Sequence, residues 1–96
     1  RMQNDMFYEQ YQNSILDIIK TEFPIEVSEF NKNYTEEKFK KASQNVHKLL
    51  HKISLLGLDK DLKTASKFEK QLKKGDNKLH TNFQEIINKI NVYLYE

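Results

Sequence analysis

The chain has 96 residues, of which 38% are hydrophobic and 31% are charged, and its formal net charge is +2. This length fits one domain and not two, and the composition excludes a disordered chain. The absence of cysteine excludes disulfide bonds and thiolate metal sites. No apolar run approaches the roughly 18 residues that cross a bilayer, and the mixed charges argue against nucleic-acid binding.

Helix breakers are rare, because the chain has two glycines and one proline. We expect residues 1–4 to be disordered or added by cloning, and one helical domain to span residues 5–96. The first helical pattern covers residues 5–21. Pro24 either kinks this helix or opens a second one at its first turn, and the weaker apolar pattern beyond it ends near residues 31–34.

The next helix carries the clearest apolar stripe of the sequence. Thr35 is its predicted N-cap, with Glu36 and Glu37 in the first turn, where carboxylates suit the helix dipole. The helix is predicted to end at Gly57 in a left-handed conformation, with Leu58 making the hydrophobic contact that follows such an end. The stripe recurs at steps of three and four residues and consists of Phe39, Ala42, Val46, Leu49, Leu50, Ile53 and Leu56.

Two further helices complete the pattern. The third has Asp59 as its predicted N-cap and ends before Gly75, and a turn over residues 75–77 leads to the fourth. Their apolar stripes are Leu62, Ala65, Phe68 and Leu72 in the third helix, and Phe83, Ile86, Ile87, Ile90 and Leu94 in the fourth. Because the connecting loops are short, neighbouring helices should be antiparallel. The sequence predicts an all-α fold, an antiparallel four-helix up-and-down bundle with or without a short extra N-terminal helix.

His47 lies on the polar face of the helix with the clearest stripe. It shares this face with Lys40, Ser43, His51 and Ser54, so its side chain should be exposed while the bundle holds its backbone. A neutral imidazole is a competent nucleophile, and phosphoryl transfer mainly requires positioning. On periodicity alone, an ordinary surface histidine is the favoured interpretation.

Metal and enzyme sites are both disfavoured. His47 and His51 are spaced like two ligands of one ion, but a third ligand is missing unless the last helix brings His80 to the same face. The acidic pairs lie where helix starts attract carboxylates, and the basic stretch Lys67–Lys74 is interpreted as a solvated helix face. The phenylalanines fall on or near apolar stripes and are expected in the core: Phe7, Phe23, Phe30, Phe39, Phe68 and Phe83.

The segment VHKLLHKISLLGL, residues 46–58, resembles the core of histidine-containing phosphotransfer (HPt) domains. In that family an apolar residue follows the phospho-accepting histidine by two positions, and a glycine follows it by ten. An apolar–Glu pair lies in the next helix, and a Gly–Asp turn precedes the last one. The matching positions here are His47, Leu49, Gly57, the pair Phe68 and Glu69, and the turn Gly75 and Asp76. The resemblance extends from Phe7 to Leu94.

Three positions depart from the family pattern. The smallest departure is Asp61, where the family often has an apolar residue, a place that Leu62 can take one position later. The family's Lys three residues after the histidine is Leu50 here, and the small Gly four residues after it is His51. In the family that Lys helps to hold the phosphoryl group, and the Gly leaves room for the partner. His51 therefore either crowds the partner or substitutes as a hydrogen-bond donor beside the phosphoryl group.

The resemblance implies a phosphorelay carrier without kinase activity of its own, either a free protein or part of a hybrid sensor histidine kinase. His47 would accept a phosphoryl group from a receiver-domain aspartate and pass it to another receiver. The chain itself would bind no cofactor, because the Mg²⁺ belongs to the partner receiver. Residues that would border the phosphoryl site or dock the partner are Ser43, Gln44, Lys48, Leu50, His51 and Ser54.

In the same resemblance, Gly57, Phe68 and Glu69 form the structural part of the motif. The expected partners are response-regulator receiver domains and a histidine kinase, and not nucleic acid or membrane. We expect a cytoplasmic monomer. The alternative is a degenerate HPt fold that docks a receiver or kinase without carrying phosphate.

Overall fold

The computed structural model describes the backbone of residues 2–96 and the side chains from Ser14 onward. It has four α-helices, α1 (Met2–Thr35), α2 (Phe39–Leu55), α3 (Asp59–Lys73) and α4 (His80–Tyr95), and no strand within the described residues. The predicted all-α four-helix bundle is confirmed. α1 begins three residues before the boundary predicted at residue 5, while Arg1 and the Phe7 side chain lie outside what is described. None of the described helices is long and apolar enough to cross a membrane.

One hydrophobic core lies between the four helices. The predicted stripes of α3 and α4 point into it, and those of α2 do so through Ala42, Val46, Leu49 and Ile53. Phe30, Phe68 and Phe83 are fully buried, with ring centroids 5.0–6.1 Å apart. Burying each such ring contributes about 1.5–3 kcal/mol, so this cluster is a main source of stability. Phe23 is also fully buried, whereas Phe39 is half-buried at the edge of the core.

α1 continues through Pro24 as one helix, so Pro24 does not open a second one. A proline has no N–H, and the carbonyl four residues earlier, that of Lys20, therefore loses its helical donor. The Tyr95 hydroxyl of α4 donates to this carbonyl at 2.6 Å. Two residues of the apolar pattern of α1, Ile18 and Ile25, are 52% and 58% exposed and do not join the core.

The prediction of Thr35 as the N-cap of α2 is wrong. Thr35 is the last residue of α1, and α2 begins at Phe39 with Lys38 in the cap position. α1 extends this far because Tyr34 continues its apolar face, where its ring stacks on Phe30 at 5.6 Å. The acidic residues predicted for the first turn of α2 lie instead in the loop of residues 36–38.

The α1–α2 loop has the backbone of a Schellman turn. The N–H of Glu37 bonds to the carbonyl of Tyr34 at 3.0 Å, and that of Lys38 bonds to Asn33 at 2.8 Å. Glu37 consequently has a φ of 59°, in the left-handed region that favours glycine. The neighbouring Glu36 forms a 2.8 Å ion pair with Lys38, which lowers the pKa of the Glu36 carboxyl.

Glycines end α2 and α3 as predicted. Gly57 and Gly75 have φ values of 73° and 81°, and each follows its helix in the same Schellman arrangement. Leu58 packs against the core, as expected of the residue after such a glycine. This packing puts Leu58 in the N-cap position of α3, so Asp59 is the first helical residue and not the cap.

Buried polar contacts fix the register of α1 against α2. The Lys52 ammonium lies 2.6 Å from Glu22 Oε1 and 3.2 Å from Glu26 Oε2. About two turns further along both helices, the Asn33 amide donates to Asn45 at 2.7 Å. Burial acts to lower the pKa of Lys52, but the hydrogen bonds to the two glutamates outweigh it and raise this pKa. The polar face of α2 beside these contacts is therefore held in one orientation.

Candidate functional site

His47 lies on α2 at the edge that faces α3. Its neighbour Val46 is fully buried, which anchors this part of the helix in the core. The His47 side chain itself is 62% exposed. The sequence prediction that His47 is exposed on α2 is confirmed.

A buried carboxylate from α3 holds one side of the imidazole. Glu69 Oε2 lies 3.2 Å from His47 Nδ1, and Oε1 lies 3.3 Å from it. The Glu69 side chain is only 10% exposed, because the preceding residue, Phe68, is anchored in the core and turns position 69 towards α2. Among the described residues, Nε2 of His47 has no hydrogen-bond partner, and this nitrogen is the one left free for chemistry.

An open groove surrounds this pair, and we call it the His47 groove. It is lined by Lys40, Ser43, Gln44, His47, Lys48, Glu69 and Lys73. The Lys73 ammonium lies 3.3 Å from Glu69 Oε2, on the helical turn after it. Three lysines against one carboxylate make the groove suited to an anionic group.

The structure brings some of the predicted border residues together and separates others. Gln44 and Lys48 are exposed and line the His47 groove. Ser43 lines it too, but its side chain is fully buried and its hydroxyl donates to the Lys40 carbonyl at 2.7 Å. The ring of His51 stands perpendicular to that of His47, with their centroids 5.8 Å apart.

Leu50 and Ser54 do not line the His47 groove. Leu50 is half-buried and packs against the core, so little of it is available to a partner. Ser54 is exposed in the last turn of α2. The exposed apolar side chain on this helix is Leu55, at 58%, one turn beyond His51.

Sequence reasoning missed two features of this site. The sequence places Lys73 in a basic stretch at the end of a helix, whereas in the structure Lys73 lines the His47 groove. Glu69 was expected to be structural, and its contact with His47 was not predicted. The position of Glu69 next to the core residue Phe68 could have predicted such a contact, since a buried carboxylate requires a polar partner.

His80 lies at a different place from the other two histidines. Its ring stacks on Tyr34, with centroids 3.9 Å apart, and Gln84 Nε2 lies 3.3 Å from its Nε2. Burial lowers the pKa of His80. His80 therefore does not supply a third ligand beside His47 and His51, and within the described residues no group of three or more metal-ligating side chains converges.

The comparisons with known proteins add no further constraint on this site. A scan against protein-family models, a search of curated proteins and a search of solved structures each gave no match.

Proposed function

We propose that this domain is a phosphorelay carrier of the HPt type, in which His47 accepts a phosphoryl group from a receiver-domain aspartate and passes it to another receiver. The observation that carries the proposal is the contact between an exposed histidine and a buried carboxylate, His47 Nδ1 to Glu69 at 3.2 Å. An ordinary surface histidine has no need of such a partner. The residues that resemble the HPt motif include both members of this pair.

Glu69 favours one tautomer of His47. A carboxylate accepts a hydrogen bond from Nδ1–H, and the neutral ring then carries its lone pair on Nε2. That nitrogen belongs to a side chain that is 62% exposed, so a partner can approach it. The contact therefore orients the imidazole as a nucleophile without covering it.

In the proposed step, Nε2 of His47 attacks the phosphorus of an aspartyl phosphate in line. An N–P bond forms while the P–O bond to the aspartate breaks, and the carboxylate leaves with the electron pair. The phosphorylated ring gains positive charge, which the Glu69 carboxylate beside Nδ1 stabilises. Transfer to the next receiver is the reverse of this step, so no proton has to leave the ring.

The lysines of the His47 groove would attract the phosphoryl group. Lys40 and Lys48 form no ion pair within the described residues and are free to do so, while Lys73 is engaged with Glu69. The Mg²⁺ would belong to the receiver, and no kinase activity is assigned to this chain. We propose that it acts in the cytoplasm as a monomer, free or within a hybrid kinase, without nucleic-acid or membrane contact.

The competing proposal is a docking module of the same fold that carries no phosphate. Two observations favour it: Leu50 supplies no charge where the family has Lys, and His51 stands beside His47 where the family has Gly. In that case the exposed side chains of Leu55 and His51 would meet the partner, and His47 would not react.

A phosphorylation assay distinguishes the carrier proposal from the docking-module proposal. The purified domain is mixed with a panel of receivers charged by acetyl phosphate, and the product is analysed by mass spectrometry. The carrier proposal expects one acid-labile, base-stable phosphate on the wild type and none on His47→Gln. No label on the wild type with any active receiver would favour the docking module.

Two variants control this assay. His80→Gln makes the same substitution at a histidine that does not line the His47 groove, so it should keep the label. His47→Gln should change the free energy of unfolding by less than about 0.5 kcal/mol, since its side chain is mostly exposed. A large loss of stability would instead identify His47 as structural.

A further inference from the structure

The outer face of α3 carries a regular series of lysines, which we call the lysine row. It consists of Lys60, Lys63, Lys67, Lys70 and Lys74. The intervals are three, four, three and four residues, so the first four side chains lie along one line of the helix, about 15 Å long, and Lys74 follows in the C-cap position. All five residues are exposed, and within residues 14–96 none of them forms an ion pair.

Two of the three acidic residues of α3 do not neutralise the lysine row, because they face other helices, and the third, Asp59, is exposed and lies four residues before Lys63. Asp61 pairs with Lys89 of α4, and Glu69 contacts His47 of α2 and Lys73. A solvated helix face normally mixes both signs at intervals of four residues, since opposite charges there stabilise the helix and like charges destabilise it. Five exposed lysines against this one exposed carboxylate leave the outer face of α3 with an excess of positive charge.

We propose that the lysine row is a docking surface for an acidic α-helix of a partner protein, one that carries carboxylates at the same three- and four-residue intervals. Two helices that lie side by side can match such series of charges pair by pair. This inference does not depend on the phosphorelay proposal, because the row lies on a different face of α3 from Lys73 and the His47 groove.

Other anionic partners fit this face less well. The row contains lysines alone, and the single arginine of the chain is Arg1, whereas arginine is the side chain best suited to bidentate contacts with phosphate. No aromatic side chain of α3 is exposed for stacking on bases, since Phe68 is fully buried. No large apolar residue of α3 is exposed to enter a lipid surface, and Leu62 is half-buried against the core.

An NMR titration of the whole chain tests the proposal. The probe is a synthetic helical peptide of about 20 residues with glutamates at intervals of three, four, three and four. The control is a peptide of the same composition with the glutamates scrambled. We expect amide shift changes on α3 at low salt, with binding that weakens strongly towards about 300 mM salt as charges are screened. Equal binding of the scrambled peptide, or shift changes away from α3, would overturn the proposal.

A pair of charge-matched variants sharpens the test. Lys63, Lys67 and Lys70 are changed to Gln in the first, and Lys20, Lys32 and Lys41, also exposed, are changed to Gln in the second. The first should bind the peptide at least about fivefold more weakly than the second, because only it removes charges that meet the peptide. Equal loss in both variants would mean that net charge alone drives binding. Tighter binding of the wild type to a DNA duplex or to phosphatidylserine vesicles would also overturn the proposal.

Discussion

The Nδ1 atom of His47 lies 3.2 Å from Oε2 of Glu69, a carboxylate that the fold buries between α2 and α3. This contact joins the exposed surface to the core, because Glu69 follows the fully buried Phe68. It restrains the imidazole on one side and leaves the other side open. The proposed chemistry of the domain depends on this asymmetry.

Glu69→Gln should slow phosphoryl acceptance by His47 by about tenfold or more, since the amide carries no charge to orient and stabilise the ring. Stopped-flow or quench-flow transfer from a phosphorylated receiver measures the rate. ¹⁵N NMR of the imidazole reports the tautomer, which a merely structural effect would leave unchanged. The control is Lys73→Met, which removes the ion pair between Lys73 and Glu69 and should slow transfer less than Glu69→Gln does. Unchanged rate and tautomer in Glu69→Gln would refute the orienting role.

Tyr95→Phe should lower the free energy of unfolding by about 1 kcal/mol, the usual contribution of one hydrogen bond. The lost bond is that from the Tyr95 hydroxyl to the Lys20 carbonyl, which Pro24 leaves without a helical donor. In a Pro24→Ala background the backbone N–H of residue 24 can donate to this carbonyl. There, Tyr95→Phe should lower the free energy of unfolding by less. Urea denaturation of the wild type, the two single variants and the double variant gives the coupling energy between the two positions. If the two substitutions change the free energy of unfolding additively, this account is wrong.

Glu37→Gly should stabilise the domain by about 1 kcal/mol, because residue 37 has a left-handed backbone that costs a side chain energy and glycine none. Thermal and urea denaturation measure the gain. Glu37→Ala removes the same charge but keeps a Cβ, so it should give little stabilisation. Equal stabilisation by Gly and Ala would attribute the effect to charge and not to the backbone.

Because of His80, the domain should lose stability as the pH falls below about 6.5, which is the ordinary pKa of a histidine side chain. Its pKa is lowered in the folded state by burial, so the unfolded chain binds the proton more tightly and acid favours unfolding. The stability that His80 contributes is fully present at a pH above its pKa in the unfolded chain. It is lost as the pH falls through its pKa in the folded chain. The neighbouring rings of Tyr34, Phe30 and Phe68 offer no charge that would compensate for protonation of His80.

Denaturation of the wild type and of His80→Gln between about pH 7 and about pH 5, above the range where most carboxyls titrate, measures this effect. The variant should show a shallower loss of stability across this interval. His51→Gln serves as the comparison, because it removes a histidine whose side chain is exposed. The same slope in all three proteins would exclude His80 as its source.

Local sequence patterns were enough to predict the helical class, most of the core and the ends of two helices. Apolar residues at steps of three and four predicted the buried faces of α2, α3 and α4, because burial follows helical periodicity. Gly57 and Gly75 ended their helices as predicted, since glycine adopts a left-handed conformation without steric cost. These features depend on residues that are close in sequence, so a local sequence pattern is enough to predict them.

Packing between the helices, which no local pattern describes, sets where α1 ends and which side chains meet. Thr35, a plausible helix start by local rules, became the end of α1 because Tyr34 packs on Phe30. Glu69 meets His47 from 22 residues away, and the Tyr95 hydroxyl reaches a carbonyl 75 residues away. Such contacts depend on the rotation and register of one helix against another. Many distant core side chains set these jointly, so the pattern of a single helix does not determine them.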